Sequence, residues 1–107
     1  MFDSGNAIKV THNSSLRRYE VSIAGRLAGV ALYQAEPQFL VLTHTQIFAP
    51  FQERGIDDLL AQDVLDDVRR RKLMIEPICP FIAGFIRDNP EYLDLVPAVS
   101  LPLLHAS

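Results

Sequence analysis

Between residues 17 and 23 apolar and polar side chains alternate, with Tyr19, Val21 and Ile23 falling on one side and Arg18, Glu20 and Ser22 on the other. A period of two marks a strand with one buried face. Ala24-Gly25-Arg26 is a tight connection, and residues 27–33 are apolar enough for a second strand, so the pair predicts a hairpin. A short strand over residues 8–11 precedes it, followed by the turn cluster Asn13-Ser14-Ser15. Glu36-Pro37 makes another turn, because proline fixes φ and withdraws a ladder donor. Residues 38–48, QFLVLTHTQIF, are rich in β-branched and aromatic side chains and predict a central strand.

From Ile56 the period changes. Ile56, Leu59, Leu60, Val64 and Val68 share one helical stripe, while Asp58, Gln62, Asp66 and Arg69 lie opposite. Aspartates at the start and the run Arg69-Arg70-Arg71-Lys72 at the end both complement the helix dipole. Residues 73–78 then read as a short strand, so residues 38–78 form a strand-helix-strand unit with parallel strands and a right-handed crossover. Pro80 opens a second helix running to about Asp88, and Asn89-Pro90 stops it. The reading is one α/β (α+β) domain over residues 7–97, with residues 98–107, which hold two prolines and no clear period, as a loosely held tail.

Composition narrows the function classes. A chain of 107 residues with 49% hydrophobic residues can build one core and is too short for two domains. Its formal net charge of -3 gives no general pull toward nucleic acid or an anionic membrane surface. No run approaches the roughly 20 apolar residues that span a bilayer, and the N-terminus lacks a basic-then-apolar leader. With Cys79 as the single cysteine there is no internal disulfide framework and no zinc-type spacing, which makes a reducing cytoplasm the default expectation. A compact domain of this size can stand as a monomer.

In a strand-helix-strand unit, ligands sit beyond the carboxyl end of the first strand, where free amides of the helix N-terminus point into the loop. Gln52, Glu53, Arg54, Gly55, Ile56 and Asp57 occupy that place. The spacing Gln52-x-x-Gly55-x-Asp57 resembles the Q/R-x-x-G-x-G/A pyrophosphate motif of the GNAT superfamily of acetyl-CoA-dependent N-acetyltransferases. Around it, His44-Thr45 ends the preceding strand, Pro77-Ile78-Cys79-Pro80 follows the next, and the stretch from Arg87 through Asn89-Pro90 and Tyr92 to Val96 closes the domain. Together these resemble the small single-domain GNAT-like family from about Tyr19 to Val96.

The resemblance implies a mixed sheet whose antiparallel N-terminal strands lead into the strand-helix-strand unit and a C-terminal helix. It also implies acetyl-CoA as co-substrate, no metal, and a small-molecule or protein amine as acceptor. Ile47 and Phe48 would offer backbone groups to pantetheine, and the amides from Arg54 to Asp57 would hold the pyrophosphate. Cys79 is implied to lie near the thioester, as an acyl relay or a wall of the pocket, with His44 nearby in proton transfer or in a purely structural role. Tyr92 is either a general acid toward the departing thiolate or a packing residue of the last segment.

Two positions depart from the family pattern: Asp57 stands where a small residue is usual, and Glu53 where glycine is. A carboxylate about 6 Å from a phosphate charge costs on the order of 0.7 kcal/mol at water-like screening and about 2.8 kcal/mol at an effective dielectric near 20. Two function classes follow. One is an N-acetyltransferase acting on an unidentified amine; the alternative is a non-catalytic GNAT-like binding module with weakened or lost coenzyme A binding.

Overall fold

A computed structural model describes residues 7–52 and 55–105. Five strands form one sheet in chain order: β1 (Ile8–Asn13), β2 (Arg18–Ile23), β3 (Arg26–Ala35), β4 (Phe39–Ile47) and β5 (Met74–Pro77). The first four pair antiparallel, while β4 and β5 are parallel and flank helix α1 (Ile56–Arg70). Helix α2 (Pro80–Asp88) follows β5 directly, with Pro80 in its first turn. This is the mixed sheet expected from the sequence, and β4 lies inside it between β3 and β5.

Local sequence explains the connections. Ala24 and Gly25 both have positive φ, 52° and 80°, as a two-residue hairpin turn requires if it is to match strand twist. Asn13 accepts the Leu16 amide and so closes the turn Ser14–Leu16. Strand β5, short and ending in proline, takes the sheet edge, where a missing ladder donor is tolerated.

Helix α1 buries Ile56, Leu60, Ala61, Val64, Leu65 and Val68 against Tyr19 and Val21 of β2, Leu42 of β4 and Ile75 of β5. The buried stripe is therefore rotated slightly from the expected one: Leu65 is fully covered, whereas Leu59 is only half-buried. Each large aliphatic side chain removed from water contributes about 1.5–3 kcal/mol before chain entropy is counted. Ile82 and Ile86 bring α2 into the same core.

The tail, expected to be loosely held, packs as a 3-10 segment over Ala98–His105. Leu104 is buried, its carbonyl accepts from Arg87 of α2, and Ser100 donates to Glu76 of β5 at 3.4 Å. Ser100 and Leu104 are buried, while Val99, Leu101 and Pro102 stay exposed. No helix among the described residues is long and apolar enough to cross a membrane.

Candidate functional site

The β4–β5 ladder stops early. Its last residue pair is Leu42 with Pro77, after which the Cys79 amide donates to the Leu42 carbonyl at 2.8 Å and the chain turns into α2. Strand β4 continues to Ile47, paired only with β3 on its other side. Backbone groups of successive strand residues point to opposite edges, and the Phe48 amide donates across to Ala28 of β3 at 2.8 Å. By that alternation Thr45 and Ile47 present their backbone groups to the side that β5 has left.

A groove of about 320 Å³ lies along this edge, lined by Thr45, Ile47, Gln52, Asp57 and Phe81. It joins the end of β4, the N-terminus of α1 and the first turn of α2. Gly29 makes the β4 end possible: a Cβ there would stand 2.5 Å from Ile47 Cδ1 and 2.7 Å from the Gln46 carbonyl oxygen. Only glycine lets β3 and β4 approach so closely.

A bulge sets which side chains face the groove. Leu32 pairs with His44 and Tyr33 with Leu42, so Thr43 is an extra residue and the side-chain alternation of β4 shifts after it. Thr45 and Ile47 consequently share the face of Leu42, toward the core and the groove, while exposed His44 lies on the opposite face. Cys79, buried at the N-cap of α2, donates its S–H to Thr45 Oγ1 at 3.4 Å. The structure thus brings Cys79 together with Thr45 and turns His44 away.

At the start of α1, Gly55 is the N-cap with φ 69°, and a Cβ there would meet nothing within 4 Å; backbone conformation, not crowding, is what asks for glycine. Asp57 Oδ1 accepts the Asp58 amide at 2.9 Å, so a carboxylate of the chain already satisfies one of the orphan donors of the helix. Gln52 Nε2 donates to the Ile47 carbonyl at 2.9 Å. Of the backbone groups expected to meet pantetheine, the Phe48 amide is committed to Ala28 and the Ile47 carbonyl to Gln52. Glu53 and Arg54 lie outside the described residues.

Tyr92 sits elsewhere. Its hydroxyl donates to Asp66 Oδ1 at 2.8 Å and its ring lies 5.7 Å from the Arg69 guanidinium. Burial, then the Asp66 hydrogen bond, pushes its pKa up to about 12. Asp66 is nine residues beyond Asp57, roughly 14 Å along the helix, so this hydroxyl anchors the last segment to α1 rather than facing the groove.

A second polar cluster has no counterpart in the sequence reading. Tyr19 donates to Asp67 Oδ2 at 2.7 Å, and Arg70 and Arg71 reach the same carboxylate at 3.0 and 2.7 Å. His12 stacks on Tyr19 with centroids 4.3 Å apart and shares a 2.6 Å hydrogen bond with the Tyr33 hydroxyl. Burial opposes the charge of Asp67, but the Tyr19 hydroxyl and the two guanidinium groups outweigh it and hold the carboxyl below its ordinary range. Spacing cannot announce this cluster, since its Tyr19–Asp67 hydrogen bond alone spans 48 positions. Among the described residues no group of His, Cys, Asp and Glu side chains is arranged to hold a metal ion.

Comparison with known proteins is consistent with this architecture. Residues 18–95 match the family model described as GCN5-related N-acetyl-transferase. Protein NATD1 of Mus musculus is 30% identical over 96 residues, covering 86% of this chain and 87% of its own length. Protein NATD1 of Bos taurus is 31% identical over 96 residues (86% and 85% covered), and that of Gallus gallus is 30% identical over 98 residues (88% and 89% covered).

Proposed function

Since the chain belongs to the GCN5-related N-acetyltransferase family, we propose that it transfers an acetyl group from acetyl-CoA to an amine, using the groove at the end of β4. The observation that carries this reading is the open β4 edge: beyond the Leu42–Pro77 pair, Thr45 and Ile47 have no β5 partner, and a pantetheine arm can occupy that edge as an added strand. Pantetheine contains amides, so it meets a strand edge with donors and acceptors of its own.

The reaction is direct attack. The amine nitrogen bonds to the thioester carbonyl carbon, the C–S bond breaks, and the thiolate leaves with the electron pair. One proton is lost from the nitrogen to solvent and the thiolate takes up another. An amide of the β4 edge polarises the carbonyl as negative charge develops on its oxygen. Cys79, whose S–H is committed to Thr45, stays buried behind that groove residue in this scheme and carries no acyl group. The acceptor is an amine held outside the described groove residues, either free or on a protein.

Asp57 favours a second reading, a binding module that keeps the fold without catalysis, because its carboxylate holds the Asp58 amide where the family presents donors to phosphate. Calorimetry with acetyl-CoA separates the two. Binding together with amine-dependent release of free thiol supports the transferase; no detectable binding up to about 1 mM, weaker than about -4 kcal/mol, removes it.

A further inference from the structure

We infer that Asp57 sets the class of acyl donor: the groove holds a thioester by its pantetheine arm, without a grip on the diphosphate, so thioesters of plain pantetheine serve about as well as those of coenzyme A. This rests on the preceding reading that the groove admits a pantetheine thioester. Several observations converge on it. The Asp58 amide, a first-turn donor of α1, is held at 2.9 Å by the Asp57 carboxylate. Gln52, the side-chain donor of the motif, is turned onto the Ile47 carbonyl at 2.9 Å. Asp57 itself lines the groove beside Thr45, Ile47, Gln52 and Phe81, and none of these described residues is basic.

The two halves of the donor therefore meet opposite environments. Pantetheine is uncharged, carries two amides and a thiol end, and meets the backbone of Thr45 and the amide of Ile47 on the edge that β5 leaves, the Ile47 carbonyl being held by Gln52. A diphosphate brings at least two negative charges to a helix terminus whose own carboxylate is already in place. With about 6 Å between Asp57 and the nearer phosphate, repulsion lowers affinity by roughly threefold at water-like screening and by about a hundredfold at an effective dielectric near 20. The small residue usual at this place in the family leaves the amides to the phosphate; Asp57 takes that part of the ligand's role into the protein.

The test needs no acceptor amine. Calorimetry with pantetheine and with coenzyme A is run on the wild-type chain, on Asp57→Ala and on Asp57→Asn, which keeps an oxygen on the Asp58 amide and removes the charge. Wild type is expected to bind coenzyme A at most about tenfold tighter than pantetheine, and at least one substitution to strengthen coenzyme A by roughly threefold to a hundredfold with pantetheine unchanged. A wild-type preference for coenzyme A above about tenfold, or a ratio unmoved in both variants, overturns the inference and leaves the transferase reading standing. Binding of neither ligand overturns both.

Discussion

Removing one oxygen atom from Tyr19 tests how α1 is held in place. The Tyr19 ring is 2% exposed, and its hydroxyl donates to Asp67 Oδ2 at 2.7 Å, joining β2 to the C-terminal half of the helix whose other end borders the groove. In Tyr19→Phe the packing stays and the bond goes. A hydrogen bond to a charged group contributes about 1.5–3 kcal/mol, and the lower end applies because Asp67 keeps Arg70 and Arg71. With an unfolding entropy of about 2.1 cal/mol/K per residue, a loss near 1.5 kcal/mol lowers Tm by about 7 °C. The loss has a pH signature. Tyr19 helps depress the folded pKa of Asp67, so its contribution is full above the unfolded value of about 3.9 and fades as pH falls through the folded one. Thermal and urea melts of both chains at neutral and acid pH measure this. A neutral-pH difference under about 0.5 kcal/mol, or one that does not shrink in acid, refutes the reasoning.

Three further outcomes are expected. Gly29→Ala pushes β3 and β4 apart at Ile47 and costs about 1–3 kcal/mol in urea melts; a change below that range means β4 gives way freely. Cys79→Ser leaves the acyl-transfer rate within about threefold of wild type, whereas a loss above about a hundredfold shows an acyl relay. Burial and then Arg71 lower the pKa of His12 against the pull of Asp67, so the folded state binds protons less readily than the unfolded chain. Stability is therefore full above the unfolded pKa of about 6.5 and declines as pH falls from there toward the folded value, a slope that His12→Gln should remove. Equal slopes in the two chains, measured by urea melts across that window, contradict the assignment.

The parts of the fold legible in the sequence are those that local periodicity encodes. Tyr19, Val21 and Ile23 share a buried face because a strand repeats every two residues, and α1 ends where its basic run begins because dipole and stripe agree. Pro80 marks the start of α2 through its fixed φ. The turn from β4 to α1, which borders the groove, was legible too, since it carries its own glycine at the N-cap. What could not be read there is cross-chain register. The extra residue at Thr43 has no local signature, yet it decides that Thr45 and not His44 meets Cys79. Tyr92 and Asp66 pair across 26 positions, and Asp66 sits on the face that periodicity assigns to solvent. Likewise the tail has no helical period, and the attachment of its Ser100 and Leu104 depends on Glu76 and Arg87, which only the folded sheet and α2 bring to it.

Amide chemical shifts of the isotopically labelled protein, followed as acetyl-CoA is added, address the central claim most directly. If the open edge of β4 takes the pantetheine arm, the largest changes fall on Thr45, Ile47 and Phe81 at the groove. Changes that are absent at saturating ligand, or confined to the cluster of His12, Tyr19 and Asp67, would contradict it.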